Sequence, residues 1–219
     1  MGRGEGNRKV LIKKGAEADL YLEEWHYRKV IMKRRLPKAY RLPELDLNIR
    51  TQRTIHEPLL IHRAKKAGVP TPTIYMVDLA DTNIIMEYVE GKQVKQVLND
   101  MPKEEKLRLC RFIGMLVARL HKNGIVHGDL TTSNMIITPF GKIVFLDFGL
   151  GEYSNELENH GVDLHLLKVA LQSTHYQHAK ECFEAVIAGY SETNGQKAAK
   201  NVLEKIREIE RRGRYIEER

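Results

Sequence analysis

Short apolar runs separated by glycine and polar turns fill the first part of the chain. KVLIKKG (9–15), ADLYLEEW (18–25) and RKVIMKRR (28–35) mix apolar and polar positions in the short period of strands in an antiparallel sheet. VPTPTIYMVD (69–78) and TNIIMEYVEG (82–91) predict two more strands. Between the third and fourth strands, residues 46–67 read as a helix that stops at Gly68. From residue 103 the period changes. Leu109, Phe112, Ile113, Leu116, Val117 and Leu120 recur at the three-to-four spacing of one helix face, and Gly124 ends that helix. IVHGDLTTSNMI (125–136) then places a polar loop between two apolar runs, and GKIVFLDFGLG (141–151) holds a further strand. After residue 160 three helical segments follow, VDLHLLKVALQSTH, HAKECFEAVIAGY and GQKAAKNVLEKIREIERRG. A strand-rich part followed by a helix-rich part predicts an α+β architecture in two lobes, 1–90 and 91–219.

Composition narrows the class. The 219 residues can bury a substantial core, 30% of them are charged, and the formal charge is +7. No apolar run approaches the ~20 residues that span a bilayer. MGRGEGNRKV lacks the apolar stretch of a secretory signal, and Gly6 stands where N-myristoylation needs Ser or Thr. Cys110 and Cys182 sit in helical patterns and form no Cys-x-x-Cys pair, as expected of inert thiols in a reduced, cytoplasmic protein. His160, His165, His175 and His178 have no companion ligands at metal-site spacing. KRRLPKAYR (33–41) carries five basic residues and no acid. Such a cluster favours polyanions, although a solvated face is the more common reason for one.

The chemistry concentrates in two loops. In IVHGDLTTSNMI, Asp129 and Asn134 lie five apart between apolar anchors. By itself this stretch fits a plain turn as well as a rigid functional loop. FLDFGLG (145–151) adds Asp147, 18 residues beyond Asp129, as it leaves an apolar strand. Gly149 reads as the residue that permits a sharp backbone turn there. Three oxygen-bearing side chains thereby fall on adjacent loops. Carboxylate and amide oxygens are what Mg²⁺ takes when it also holds phosphates, and phosphoryl transfer needs little beyond the metal, charge neutralisation and an oriented acceptor.

His127-Gly128-Asp129, Asn134 and Asp147-Phe148-Gly149 resemble the catalytic set of the protein-kinase superfamily. The resemblance implies a reduced bilobal kinase-like fold that uses ATP with Mg²⁺ or Mn²⁺. It implies that Asp129 orients or deprotonates the acceptor hydroxyl, and that Asn134 and Asp147 hold the metal. Lys33, closing VIMK on the third strand, takes the place of the lysine that grips the α- and β-phosphates, with Glu57 as its ion-pair partner. Gly15, Ala16, Glu17 and Ala18 take the place of the loop over the phosphates, and the Glu87 and Val89 backbone that of the adenine-binding hinge. The departures are Gly128 for the usual Arg, Thr131 for the usual Lys, and no Ala-Pro-Glu segment. Asp163 matches the buried Asp of the large C-lobe helix but follows Asp147 by only 16 residues, so the activation segment and peptide-docking helices are expected to be largely absent.

This reduced plan resembles the small atypical Ser/Thr kinase/ATPase subunit of the KEOPS (EKC) complex, the PRPK family. GAEA (15–18), KRRLPKAYRLPELD (33–46), RTIHE (53–57), HGDLTTSNMI (127–136), DFGLG (147–151), VDLHLL (162–167) and RRGRY (211–215) carry the resemblance along nearly the whole chain. It implies ATP hydrolysis and phosphorylation of itself or a few proteins, and binding to the threonylcarbamoyl-transferase subunit that modifies adenosine 37 of tRNA. Arg211, Arg212 and Arg214 become candidate tRNA contacts at the tip of a projecting last helix. Small-molecule phosphotransferases and RIO-type kinases are the rival enzymes, and an ATP-binding scaffold without turnover is the non-catalytic rival. Pro58, directly after Glu57, predicts a kink or a restart of the helix that would displace Glu57 from Lys33.

Overall fold

The structure, a computed structural model, describes the backbone of residues 9–217 and the side chains of residues 9–212. Three strands open the chain, β1 (Val10–Lys14), β2 (Asp19–Trp25) and β3 (Arg28–Arg34), followed by helix α1 (Pro43–Lys66) and strands β4 (Ile74–Asp78) and β5 (Asn83–Glu87). They form the antiparallel sheet that the strand pattern predicts, and its order is β1-β2-β3-β5-β4. Lys33 pairs with Leu20 on one side and Ile84 on the other, which fixes it in the middle strand. Strand alternation puts Val30 and Met32 on one face, buried with Ile85, and Ile31 and Lys33 on the other.

The remainder runs through β6 (Lys92–Gln93), α2 (Val94–Val97), α3 (Lys103–Lys122), β7 (Ile125–Val126), a 3-10 turn at Thr132–Asn134, β8 (Met135–Ile137), β9 (Ile143–Phe145), β10 (Glu152–Tyr153), α4 (Leu157–Thr174), α5 (Ala179–Asn194) and α6 (Gln196–Glu217). The short pieces β6, α2, β7 and β10 are too brief to leave a periodic signal in sequence. The two-residue pair of β10 with β7 occupies the segment after Asp147, and α4 begins soon after it. The stretch in which larger kinases dock peptides is correspondingly short.

One apolar core joins α1 to all later helices. Leu60, Ile61 and Ala64 of α1 pack with Phe145, Phe148, Leu116, Leu120 and Leu164 in a single buried cluster. The last helix contributes Ala199, Val202 and Ile206. Helices α3 and α5 touch backbone to backbone: a Cβ at Gly114 would overlap the Val186 carbonyl, and one at Gly189 the Arg111 carbonyl. Cys110 and Cys182 are free and buried. Among the described residues no helix is long and apolar enough to cross a membrane.

Helix α1 corrects one expectation. It runs without interruption from Pro43 to Lys66 with Pro58 inside it. An interior proline costs about 3 kcal/mol. Burying Leu60 and Ile61 contributes roughly 1.5–3 kcal/mol each, which outweighs that penalty. Glu57 stays in place.

Candidate active site

Lys33 is the hub. Its ammonium donates to Glu57 Oε1 at 2.8 Å and to Asp147 Oδ1 at 2.6 Å. Burial alone would lower the Lys33 pKa; the Glu57 and Asp147 carboxylates outweigh it and hold it above its ordinary value. Burial pushes the Asp147 pKa upward, and the Lys33 ammonium overrides that, so the net displacement is downward. Both groups are charged at neutral pH.

Arg35 completes the arrangement. Its guanidinium is 2% exposed and donates to the second oxygen of Glu57 at 2.5 Å and to Thr54 Oγ1 at 3.3 Å. One buried carboxylate is thus clamped by two cations. Sequence reasoning noted the basic cluster and did not single out Arg35. The signal was there, since residues two apart on a strand share a face and Arg35 continues the face of Lys33.

The Asp129 loop is anchored from below. Asp163, fully buried in α4, accepts the His127 backbone N–H at 2.7 Å and the Gly128 N–H at 2.8 Å. His121 lies 3.2 Å from the same carboxylate. Burial tends to raise the Asp163 pKa, and the hydrogen bond and charge of His121 bring the net displacement below the ordinary value. The His127 ring donates from Nε2 to the Leu146 carbonyl at 3.0 Å and accepts the Asp129 N–H at Nδ1, 3.3 Å. Burial lowers its pKa and keeps it neutral, so it braces the two loops. Gly128 has φ +78°, and a Cβ there would overlap the Leu150 carbonyl. Those two constraints explain why no Arg stands between His127 and Asp129.

Asn134 donates from Nδ2 to the Asp129 carbonyl at 2.9 Å and to Asp129 Oδ2 at 2.8 Å. Its Oδ1 is left to face a cation. The turn at Asp147-Phe148-Gly149 is made differently from the expectation. Asp147 itself takes the left-handed conformation, φ +57°. Gly149 keeps this turn uncrowded, because a Cβ would press to 3.1 Å from Asp147 Oδ1 and 3.3 Å from Lys33 Nζ. Phe148 is buried with its ring centroid 4.5 Å from that of His127.

Two adjoining hollows meet at Lys33 and Asp147. The larger, about 700 Å³, is walled by Ile31, Met86, Ile136 and Leu146 with Glu87, Val89 and Asn134 at its edge. The smaller, about 260 Å³, holds Gly15, Ala16, Glu17, Ala18 and Asp129. An apolar slot with a few polar groups suits a flat heteroaromatic ring. The Glu87 N–H is taken by the Thr73 carbonyl at 2.8 Å and its carboxylate by the Thr73 N–H at 2.9 Å. Its carbonyl is what it can offer a ligand. The Gly15 N–H bonds to the Ala18 carbonyl at 3.1 Å, so that amide is not spare. Lys13, Arg35 and Arg53, not foreseen as site residues, line the smaller hollow.

The donor set fits Mg²⁺ held together with phosphates. Asp147 and Asn134 share the wall of the larger hollow, and among the described residues no group of three His, Cys, Asp or Glu could form an all-protein cage. Mg²⁺ bound by one or two side-chain oxygens and phosphates needs no such cage.

The tail arginines expected to contact tRNA stand apart from this site. Arg211 and Arg212 are exposed on α6, outside the two hollows. Arg212 is bonded to Glu158 of α4, which offsets its charge. The Arg214 side chain falls outside the described residues.

Comparison with known proteins places this geometry. The ABC1 atypical kinase-like domain matches residues 32–181. The KEOPS complex subunit Bud32 of Pyrococcus abyssi is 50% identical over 213 residues, covering 94% of this chain and 96% of that protein. The chain belongs to the Bud32 family of atypical kinase-like proteins. Family members also occur within longer chains. A probable bifunctional tRNA threonylcarbamoyladenosine biosynthesis protein of Methanothermobacter thermautotrophicus is 46% identical over 94% of this chain, which spans 37% of its length. One of the same description from Methanobrevibacter smithii is 45% identical, and the chain spans 36% of it. The crystal structure of the Rio2 kinase from Chaetomium thermophilum superposes with a TM-score of 0.62 at 19% identity, covering 94% of this chain and 72% of that one. The fold is kinase-like.

Proposed function

We propose that this chain is a Mg²⁺- and ATP-dependent phosphoryl-transfer subunit, an atypical Ser/Thr kinase/ATPase, working in a KEOPS complex during tRNA threonylcarbamoyladenosine biosynthesis. The observation that carries the chemistry is Lys33, held between Glu57 and Asp147 where the two hollows meet. On this reading the adenine ring lies in the larger hollow against Ile31, Met86 and Leu146. Lys33 donates to the α- and β-phosphates. Asp129 orients the acceptor and takes its proton, and the Asn134 amide holds the Asp129 carboxylate in the required direction. Mg²⁺, held by Asn134 Oδ1 and Asp147, would neutralise phosphate charge.

The short segment between Asp147 and α4 supports a small acceptor over a free peptide. Water, a hydroxyl of this chain or a Ser/Thr hydroxyl presented by a partner subunit suits it better. The role in KEOPS rests on the 50% identity to the Pyrococcus protein over almost its full length. A cytoplasmic location, binding to the threonylcarbamoyl-transferase subunit and tRNA contact through the complex go with that role. The test is phosphate release from Mg-ATP by the purified chain, alone and with the transferase subunit. Turnover that depends on Asp147 supports the reading. Nucleotide binding without turnover in either setting overturns it in favour of a scaffold.

A further inference from the structure

Four cations line the smaller hollow, Lys13, Lys33, Arg35 and Arg53. Two are committed to the buried carboxylate of Glu57. Arg53 is not. It lies one helical turn before Glu57 on α1, so the two side chains share a helix face, the one turned toward the hollow. Its NH1 donates at 2.5 Å to Glu17 of the loop between β1 and β2, and the two side chains are 30% and 42% exposed. An ion pair that open to water contributes little to stability and exchanges readily. Glu17 would keep a partner if Arg53 left, because Arg41 stands 3.5 Å away.

The four cations face three carboxylates in the smaller hollow, Glu17, Asp129 and Asp147, and Glu57 behind Lys33 and Arg35 supplies a fourth, so the charges balance before any nucleotide enters. A triphosphate brings several negative charges and needs donors beyond Lys33. With the base in the larger hollow, the phosphates pass Lys33 and end in the smaller one, beside Arg53 and Asp129.

Building on the nucleotide reading above, we propose that Arg53 is a phosphate-binding residue held in reserve by Glu17. The terminal phosphates displace the Glu17 carboxylate, the guanidinium turns its fork to the phosphate oxygens, and Glu17 stays with Arg41. A guanidinium is suited to this exchange because its planar donor pair matches carboxylate and phosphate alike. The loop that carries Glu17 is thereby told whether the phosphates are present.

The test is calorimetric titration of the full chain with Mg-ATP, AMP and adenosine, using wild type, R53Q, E17Q and K33M. R53Q is expected to weaken ATP about tenfold, the scale of one charge-assisted hydrogen bond, and to leave adenosine unchanged. E17Q removes the competing carboxylate and is expected to tighten ATP severalfold, again without effect on adenosine. These opposite signs separate a phosphate ligand from a structural latch, which both variants would weaken alike. The proposal is overturned if R53Q binds ATP as wild type does, if it loses adenosine in the same proportion, or if E17Q weakens ATP. Wild type that binds ATP, with K33M impaired and R53Q normal, overturns this proposal alone. Wild type that binds neither ATP nor adenosine overturns the nucleotide reading as well.

Discussion

Asp147 combines an uncommon backbone conformation with a carboxylate shared between Lys33 and open space. Replacing it by Asn keeps the shape and removes the charge. D147N is expected to lower ATP turnover ~10²-fold or more, the usual cost of losing an electrostatic group aimed at a transition state, in a steady-state phosphate-release assay. Asp129 and Asn134 are separable in part. D129A should depress turnover with Mg²⁺ affinity nearly unchanged. N134A should raise the Mg²⁺ requirement, and should also leave a residual defect at saturating Mg²⁺, because the amide holds Asp129 Oδ2. Superimposable Mg²⁺ curves for the two variants would contradict this division. The histidines contribute to the acid side of stability before the carboxylates do. Burial depresses His160 from the ordinary 6.5 to about 4, and lowers His127 and His175 in the same direction. Below pH 6.5 the unfolded chain binds protons that the folded chain refuses. Stability is therefore full above about pH 6.5 and falls as pH drops from there toward 4. Urea unfolding midpoints across that range should decline, and H160N should flatten the decline.

At the scale of elements, helix α1 shows packing overriding local preference. Pro58 sits inside it while Glu57 meets Lys33 and Arg35. P58A is expected to restore a backbone hydrogen bond and to gain about 1–2 kcal/mol, the interior-proline penalty less the entropy returned to the unfolded chain. Turnover of the isolated chain should stay within about twofold, since Glu57 is already in place. A large activation would mean that the helix is misplaced in solution. The α3–α5 crossing makes the opposite demand. G189A places a methyl group against the Arg111 carbonyl and should destabilise by about 1–3 kcal/mol or more in thermal or urea unfolding.

Across the whole molecule, α1 links the sheet to the helical core, because Leu60, Ile61 and Ala64 pack with Phe145 and Phe148. The last helix binds through its own apolar stripe and through Arg212 and Lys205 to Glu158. Removing residues 211–219 should leave ATP turnover near wild type, and a tRNA contact there would show as weaker binding with a flatter salt dependence. If the truncated chain binds tRNA unchanged across a salt series, the 33–41 segment is the next surface to test. Much of this architecture is local information. The alternating runs before Glu87, the helical stripe of α3, and the spacing of Asp129, Asn134 and Asp147 follow from neighbouring residues, because strand and helix periods and loop chemistry act over a few positions. The sequence by itself therefore determined the order of the longer elements and which polar side chains would stand on the two loops. It did not determine Arg35 on Glu57, Asp163 beneath Gly128, Arg53 on Glu17 or the continuity of α1 through Pro58. Those contacts join residues far apart in the chain, and they form only when burial has brought the segments together. The helix persists because its packed face contributes more than its proline costs, and the Glu57 carboxylate is held in the interior by two cations, Lys33 and Arg35, that reach it from the end of a strand the helix meets only once the chain has folded.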